Sequence, residues 1–238
     1  MDRRTAVWCL VLALASYVVC VLAQSFPLWS AGQSFAWFPQ TLDTQIELVA
    51  FVAGVVAVYL VTRESLWNWP IGIVNVSLYA WFFFAVAQHY ANAALQIVWL
   101  IYLIDGWYRW LRGGEKKTEL KVSHLTARQG LIVGATVVVF TVALVPILQM
   151  AGGKVVIVDA LTTAMSLAAQ YLLNRKVIQS WLAWIVVDLI YVPLYIYREY
   201  YATAVLYAIF LGLAVVGWFQ WKKSILAQDQ EVAKVNNT

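Results

Sequence analysis

Trp181, Trp184, Asp188, Tyr191 and Tyr195 are spaced 3, 4, 3, 4 along the chain. On a helix that spacing sets all five on one stripe. Aromatic faces stack on flat rings and attract cations, and a carboxylate supplies the complementary charge. The segment that carries them, SWLAWIVVDLIYVPLY (180–195), is otherwise apolar enough to cross a membrane. A charged group at mid-bilayer costs about 3 kcal/mol on insertion scales, so it normally faces the protein interior or a water-filled cavity. Belts of Trp and Tyr belong at the membrane interfaces, whereas this stripe runs through the middle of the segment. Asp188 and its aromatics are therefore expected to form a binding wall. Pro193, just beyond Asp188, removes a helix hydrogen bond and permits a kink there.

A second stripe, Asn68, Gly72, Asn75 and Tyr79, has Trp67 and Trp69 at one end. Asn92, Gln96 and Trp99 follow, then Asp159, Thr163, Ser166 and Gln170, and finally Thr203 and Tyr207. Singly, each such residue is an ordinary interhelical hydrogen bond of about 0.6–2 kcal/mol. Together they describe one cavity of Trp, Tyr and amide groups holding a single acid. Its expected substrate-binding residues are Trp69, Asn75, Tyr79, Gln96, Gln170, Trp181, Trp184, Asp188, Tyr191, Tyr195 and Tyr207. Glu47 and Asp159 lie near one end of equivalent helices and are gate candidates. Asp105, four residues before Arg109, reads as a local ion pair.

No Lys or Arg is centred in an apolar run, so a phosphate or carboxylate in the cavity would lack a counter-charge. Amides and hydroxyls suit sugar hydroxyls, and aromatics with one acid suit a flat cation. A positively charged nucleoside meets both demands. A plain sugar, a thiamine-like cation or a flavin meets fewer.

Other chemistries find no footing. His89 and His124 fall in loops, and no HExxH motif occurs, so neither a metal site nor a cofactor is expected. Without a nucleophile–base set at depth the chain does not read as an enzyme. The absence of a GxxxxGK[ST] loop excludes self-powered transport. Cys9 and Cys20 share one apolar run, which argues against a disulfide framework. The net charge of +4 is not a nucleic-acid signal, because its meaning lies in its placement. A purely structural or receptor subunit would leave paired sets of polar residues unexplained.

The elements that must position these groups are helices in a bilayer. Of 238 residues, 63% are hydrophobic and 12% charged, against about half and a quarter in a soluble domain. Eight apolar runs stand out, at 6–23, 42–61, 67–87, 91–110, 129–149, 155–173, 180–197 and 201–221. Each approximates a spanning helix, and the alternation of a membrane β-barrel is absent. With both termini in the cytoplasm, all of the sixteen Lys and Arg except Lys154 and Arg198 fall inside, as the positive-inside rule prefers. Arg3-Arg4 followed by an apolar run and Val21-Leu22-Ala23 resembles a cleavable signal peptide, although the run is long for a signal core. The segment after Gly113-Gly114 reads as a polar linker, and the tail after Lys223 is expected to fray. Gly130 and Gly134 have the spacing of a helix-packing motif.

The chain also repeats itself. YANAALQIVWLIYLIDGWYRW (90–110) and YATAVLYAIFLGLAVVGWFQW (201–221) share Tyr, Ala, Leu, Gly and Trp positions at an offset of 111. YLVTR (59–63) and YLLNR (171–175) match at 112, where Trp69 meets Trp181 and Glu47 meets Asp159. The expected fold is an all-α integral membrane protein with a 3+1+3 parallel repeat and one extra N-terminal helix, eight spans in all. Its parts are the extra helix and loop (1–40), a first triplet (41–111), a linker with connector helix (112–154), a second triplet (155–223) and a cytoplasmic tail (224–238). The site of such a repeat lies near the midplane between its halves.

At WNWPIGIVNVSLYAWFFF (67–84), QIVWLIYLIDGWYRW and WLAWIVVDLIY, over about residues 41–221, the sequence resembles the PnuC family of bacterial vitamin transporters. The resemblance implies a SWEET-like fold, often a homotrimer, in the bacterial inner membrane. It implies facilitated import of nicotinamide riboside, with a cytoplasmic kinase trapping the product by phosphorylation. Relatives for thiamine and riboflavin leave another vitamin open as substrate. The extra N-terminal helix departs from the family pattern and is expected to pack peripherally.

Overall fold

The computed structural model describes Thr5, Cys9 and residues 42–86 and 90–236. The first apolar run, its cleavage, Cys20 and His89 lie outside the described residues. Seven α-helices follow in order: α1 (Leu42–Thr62), α2 (Asn68–Trp81), α3 (Tyr90–Arg112), α4 (Ala127–Met150), α5 (Val156–Asn174), α6 (Ser180–Tyr197) and α7 (Tyr201–Asn236). Among the described residues the backbone forms no strand, only one isolated bridge between Ser123 and Val177. A bilayer forces this choice, because a helix satisfies its own backbone groups where no water can. Helices α4 to α7 are each long and apolar enough to cross a membrane, and the molecule is a multi-pass membrane protein.

Three local features differ from the sequence expectation. The third apolar run (67–87) is not one regular helix, since α2 passes into a π-helical turn over Phe82–Val86. The stretch after Lys223 does not fray, and α7 continues unbroken to Asn236. Its Leu, Ala, Gln, Glu and Lys are good helix formers, and extending an existing helix avoids the cost of nucleation. The polar linker after α3 is pinned rather than loose. Leu120 N donates to Trp110 O (3.1 Å), Ser123 N to Lys176 O (2.9 Å) and Ile178 N to Ser123 O (3.0 Å). Leu125 N donates to Gln179 Oε1 (2.9 Å). The linker then delivers Thr126, whose side chain and that of Gln129 cap each other's backbone to open α4.

Within the fold α2 packs on α1 and α3, and α6 packs on α5 and α7. The two groups meet where α1 touches α7 and α3 touches α5, while α4 packs on α5. Among the described residues nothing lies within 4 Å of a Cβ built on Gly134, and one on Gly130 meets only Leu125 at 3.5 Å, so their spacing serves no close helix–helix contact there.

The best-packed core lies at the end marked by the α1–α2 and α5–α6 turns, hereafter the basic end. Trp69, Trp110, Trp181 and Trp221 are all 0–1% exposed. Trp69 meets Trp110 edge-on at 5.1 Å and 85°, and Trp181 meets Trp221 at 5.4 Å and 83°. Trp110 and Trp221 lie 5.8 Å apart between them. The indole of Trp110 donates to Leu173 O at 3.1 Å, and that of Trp221 to Val61 O at 3.2 Å. Two glycines admit the outer rings: a Cβ on Gly106 would sit 2.1 Å from Trp69, and one on Gly217 would sit 2.5 Å from Trp181. Below the rings Lys176 Nζ meets Glu64 Oε2 at 3.0 Å and lies 4.6 Å from the Trp110 ring centre. Glu64 and Lys176 both occupy the left-handed backbone region, at φ 53° and 49°.

Candidate functional site

A cavity of about 540 Å³ lies between the group α1–α3 and the group α5–α7. Helix periodicity brings the stripes together there. On α2, Asn68, Gly72, Asn75 and Tyr79 follow one another at turn spacing and all line it. On α6, Trp181, Trp184, Asp188, Tyr191 and Tyr195 do the same. Gln96 and Trp99 come from α3, Thr163, Ser166 and Gln170 from α5, and Tyr207 from α7. All eleven expected substrate-binding residues thus border one space.

Of the two gate candidates, Asp159 does not join them. Asp159 pairs instead with Arg198, Oδ2 to Nη2 at 3.0 Å. Glu47 lies on α1, and its side chain, like that of Asn92, is outside those described. Trp67 is 55% exposed and turned away from the cavity. Asp105 and Arg109 pair as expected, with Arg109 Nε 2.8 Å from both carboxylate oxygens. His124 is exposed, its Nδ1 3.4 Å from Gln179 Nε2.

Among the described residues the cavity carries one carboxylate. Asp188 is 2% exposed, and no described Lys or Arg lines the space. Among the described residues no cation forms an ion pair with it. Tyr191, Tyr195 and Tyr207 make an aromatic wall beside it: Tyr195 and Tyr207 stack at 5.2 Å and 4°, and Tyr191 lies 4.6 Å from Tyr207. Trp69 and Trp181 border the cavity and rest on Trp110 and Trp221. Their indole N–H groups and the Ser180 hydroxyl are buried without a partner among the described residues. Buried donors are normally satisfied, so two orphaned indoles bordering a cavity point to a polar ligand.

Two contributions were not legible beforehand. Phe51, Gly54, Ala57 and Val58 of α1 line the space, but α1 is apolar there and offers no polar stripe to mark a face. Asn174 was visible only as a repeat landmark in YLLNR. It is fully buried and hydrogen-bonds to Gln170 within α5, and to Tyr102 and Asp105 across on α3.

Comparison with known proteins gives this geometry a context. Residues 44–223 match the family described as nicotinamide mononucleotide transporter. The nicotinamide riboside transporter PnuC of Escherichia coli is 28% identical over 224 residues, covering 83% of this chain and 90% of that protein. The riboflavin/roseoflavin transporter RibM of Streptomyces davaonensis is 29% identical over 202 residues, covering 81% and 91%. The crystal structure of the vitamin B3 transporter PnuC has the same fold, with a TM-score of 0.68 at 24% identity, over 95% of this chain and 94% of that one. By its helices, its cavity and the match over residues 44–223, the chain belongs to the nicotinamide mononucleotide transporter family, the PnuC family of membrane transporters.

Proposed function

We propose that this protein imports nicotinamide riboside across the bacterial inner membrane by facilitated diffusion. One observation carries the reading: among the described residues, a cavity walled by Trp and Tyr holds a single buried carboxylate and no cation. A pyridinium ring attracts the aromatic faces and Asp188 together. The ribose hydroxyls match Asn75, Gln96 and Gln170. A phosphorylated product finds no basic group in the cavity, so trapping by a cytoplasmic kinase accords with one-way accumulation. The names of the PnuC relatives support the same substrate. The similarity to RibM makes riboflavin the competing ligand.

The carrier works by alternating access between two equivalent triplets, α1–α3 and α5–α7, with α4 as connector. Support comes from contacts that occur twice at the offset of 111–112: Trp69 on Gly106 and Trp181 on Gly217, and Trp110 to Leu173 and Trp221 to Val61. The basic end faces the cytoplasm, in keeping with its Arg and Lys residues. The tryptophan core and the Glu64–Lys176 pair close the path at that end. The assembly is a homotrimer, as the family resemblance implies.

Uptake into liposomes containing only this protein tests the reading. Labelled nicotinamide riboside enters without an ion gradient, and thiamine and riboflavin do not compete at equal concentration. Folded protein that moves no nicotinamide riboside overturns it, and preferential uptake of riboflavin transfers it to the RibM-like substrate.

A further inference from the structure

Gln170 lines the cavity, and its side chain is tied, through a chain of hydrogen bonds, to the charged pair Asp105–Arg109. Gln170 Nε2 lies 2.9 Å from Asn174 Oδ1. Asn174 Nδ2 lies 2.7 Å from Tyr102 O and 3.2 Å from Asp105 Oδ2. Asp105 in turn accepts from Arg109 Nε at 2.8 Å. The direction of every bond in this chain is forced. A peptide carbonyl and an ionised carboxylate only accept, so the end of Asn174 that faces them must be its NH₂ group. Its carbonyl then faces Gln170, which must answer with its own NH₂ group. The oxygen of Gln170 is left over, with no hydrogen-bond partner among the described residues, on a side chain that lines the cavity.

The chain has no counterpart in the other triplet. At the offset of 112, Asn174 corresponds to Thr62, whose hydroxyl donates to Tyr59 O of its own helix at 2.7 Å. Tyr102 and Asp105 correspond, at 111, to Leu213 and Val216. A feature confined to one half of an otherwise matched core is not needed to pack that core. Its setting is nonetheless tight: Asn174 is 0% exposed, and a Cβ on Gly106 would lie 2.7 Å from its Oδ1.

We infer that Arg109, Asp105 and Asn174 form a positioning relay that locks Gln170 with its carbonyl oxygen toward the substrate, making Gln170 a selector for a ligand that donates a hydrogen bond. The inference rests on the proposed site and names its ligand class further. Gln170 Oε1 and the Asp188 carboxylate are both acceptors, so the space between them favours a primary carboxamide or a hydroxyl and repels a carboxylate. The relay therefore separates a nucleoside carrying a carboxamide from the otherwise identical nucleoside carrying a carboxylic acid. A free glutamine would not do so, because it would turn its NH₂ group toward the acid. Only a glutamine held from behind discriminates.

Calorimetric binding of the two nucleosides, nicotinamide riboside and its carboxylic acid analogue, to the full detergent-solubilised chain tests this. The unaltered protein binds the amide at least tenfold more tightly, the loss of one hydrogen bond and the gain of one repulsion together exceeding that factor. Asn174→Leu removes the carbonyl that accepts from Gln170 Nε2 and leaves the glutamine free to turn, and the amide-to-acid ratio falls to within about threefold. Gln170→Met keeps the side-chain volume and lowers the ratio directly, which covers the case in which Asn174→Leu fails to fold. A merely structural role for Asn174 would lower the melting temperature and both affinities alike, leaving the ratio where it was. Ratios unchanged in both variants overturn the relay while leaving the transporter reading intact. Absence of binding of either nucleoside to the unaltered, folded chain instead removes the reading on which the relay rests.

Discussion

Glu64 and Lys176 occupy corresponding positions of the two triplets and pair with each other, which makes an unusual exchange possible. In Glu64→Lys with Lys176→Glu the two charges trade places across the pair. Both positions sit in the left-handed region at nearly the same φ, 53° and 49°, so neither new residue meets a backbone the other had not already tolerated. Each single change is different in kind. The Lys176 side chain is 8% exposed and that of Glu64 23%. Breaking a fully buried pair costs about 3–5 kcal/mol, and partial exposure of Glu64 brings this to about 2 kcal/mol. If the pair exists only while the basic end is closed, a loss of about 2 kcal/mol shifts the open-to-closed ratio about thirtyfold. The readout is a cysteine at Ala57, which lines the cavity, in a chain with Cys9 and Cys20 replaced by serine. Its labelling by a membrane-impermeant maleimide from the basic side reports opening. Glu64→Gln and Lys176→Met each accelerate labelling by about tenfold to thirtyfold. The exchanged pair returns to within about fivefold of the original rate, short of full recovery because Lys176 also contributes about 1 kcal/mol over the Trp110 ring. Labelling that ignores both single changes, or an exchange no better than the two combined, refutes the idea that this pair holds the end shut.

Gly106→Ala places a methyl group 2.1 Å from Trp69; such overpacking costs about 1–3 kcal/mol, and the melting temperature in detergent falls, whereas Gly134→Ala, with nothing within 4 Å, leaves it unchanged. Trp184→Ala and Asp188→Asn each weaken nicotinamide riboside in a calorimeter, by on the order of tenfold for a lost cation–π face or carboxylate. Unchanged affinity in both would remove α6 from the binding wall.

The α6 wall of the cavity was legible because helical periodicity converts sequence spacing directly into a face. Asp188 had to be accounted for in an apolar segment, and its neighbours at three and four residues then followed it into the cavity. The matching side chains of α2 were legible for the same reason. Residues of α1 were not, since Phe51, Gly54, Ala57 and Val58 line the space without differing chemically from those facing lipid. Asp105 illustrates a subtler limit. Its spacing from Arg109 correctly gave the ion pair, yet its second partner, Asn174, is 69 positions away and arrives only through packing of α3 on α5. Asp159 likewise finds Arg198, 39 positions away at the far end of α6, a contact that no local pattern encodes. The helical tail was misread because polar composition resembles a loop, whereas helix propensity and continuity with a formed helix outweigh it.

That continuous helix carries a mechanical consequence. From Lys222 to Asn236 α7 extends past Trp221, the residue whose indole grips Val61. At 1.5 Å per residue these fifteen positions form an arm of about 22 Å. A tilt of α7 by roughly ten degrees about Trp221 would sweep the tip of that arm by about 4 Å, far more than any side chain in the cavity need move. With the two triplets rocking as proposed, the end of α7 would act as a pointer on one of them, and a pair of spin labels, one near Asn236 and one on the pinned linker, would read each swing from outside the membrane.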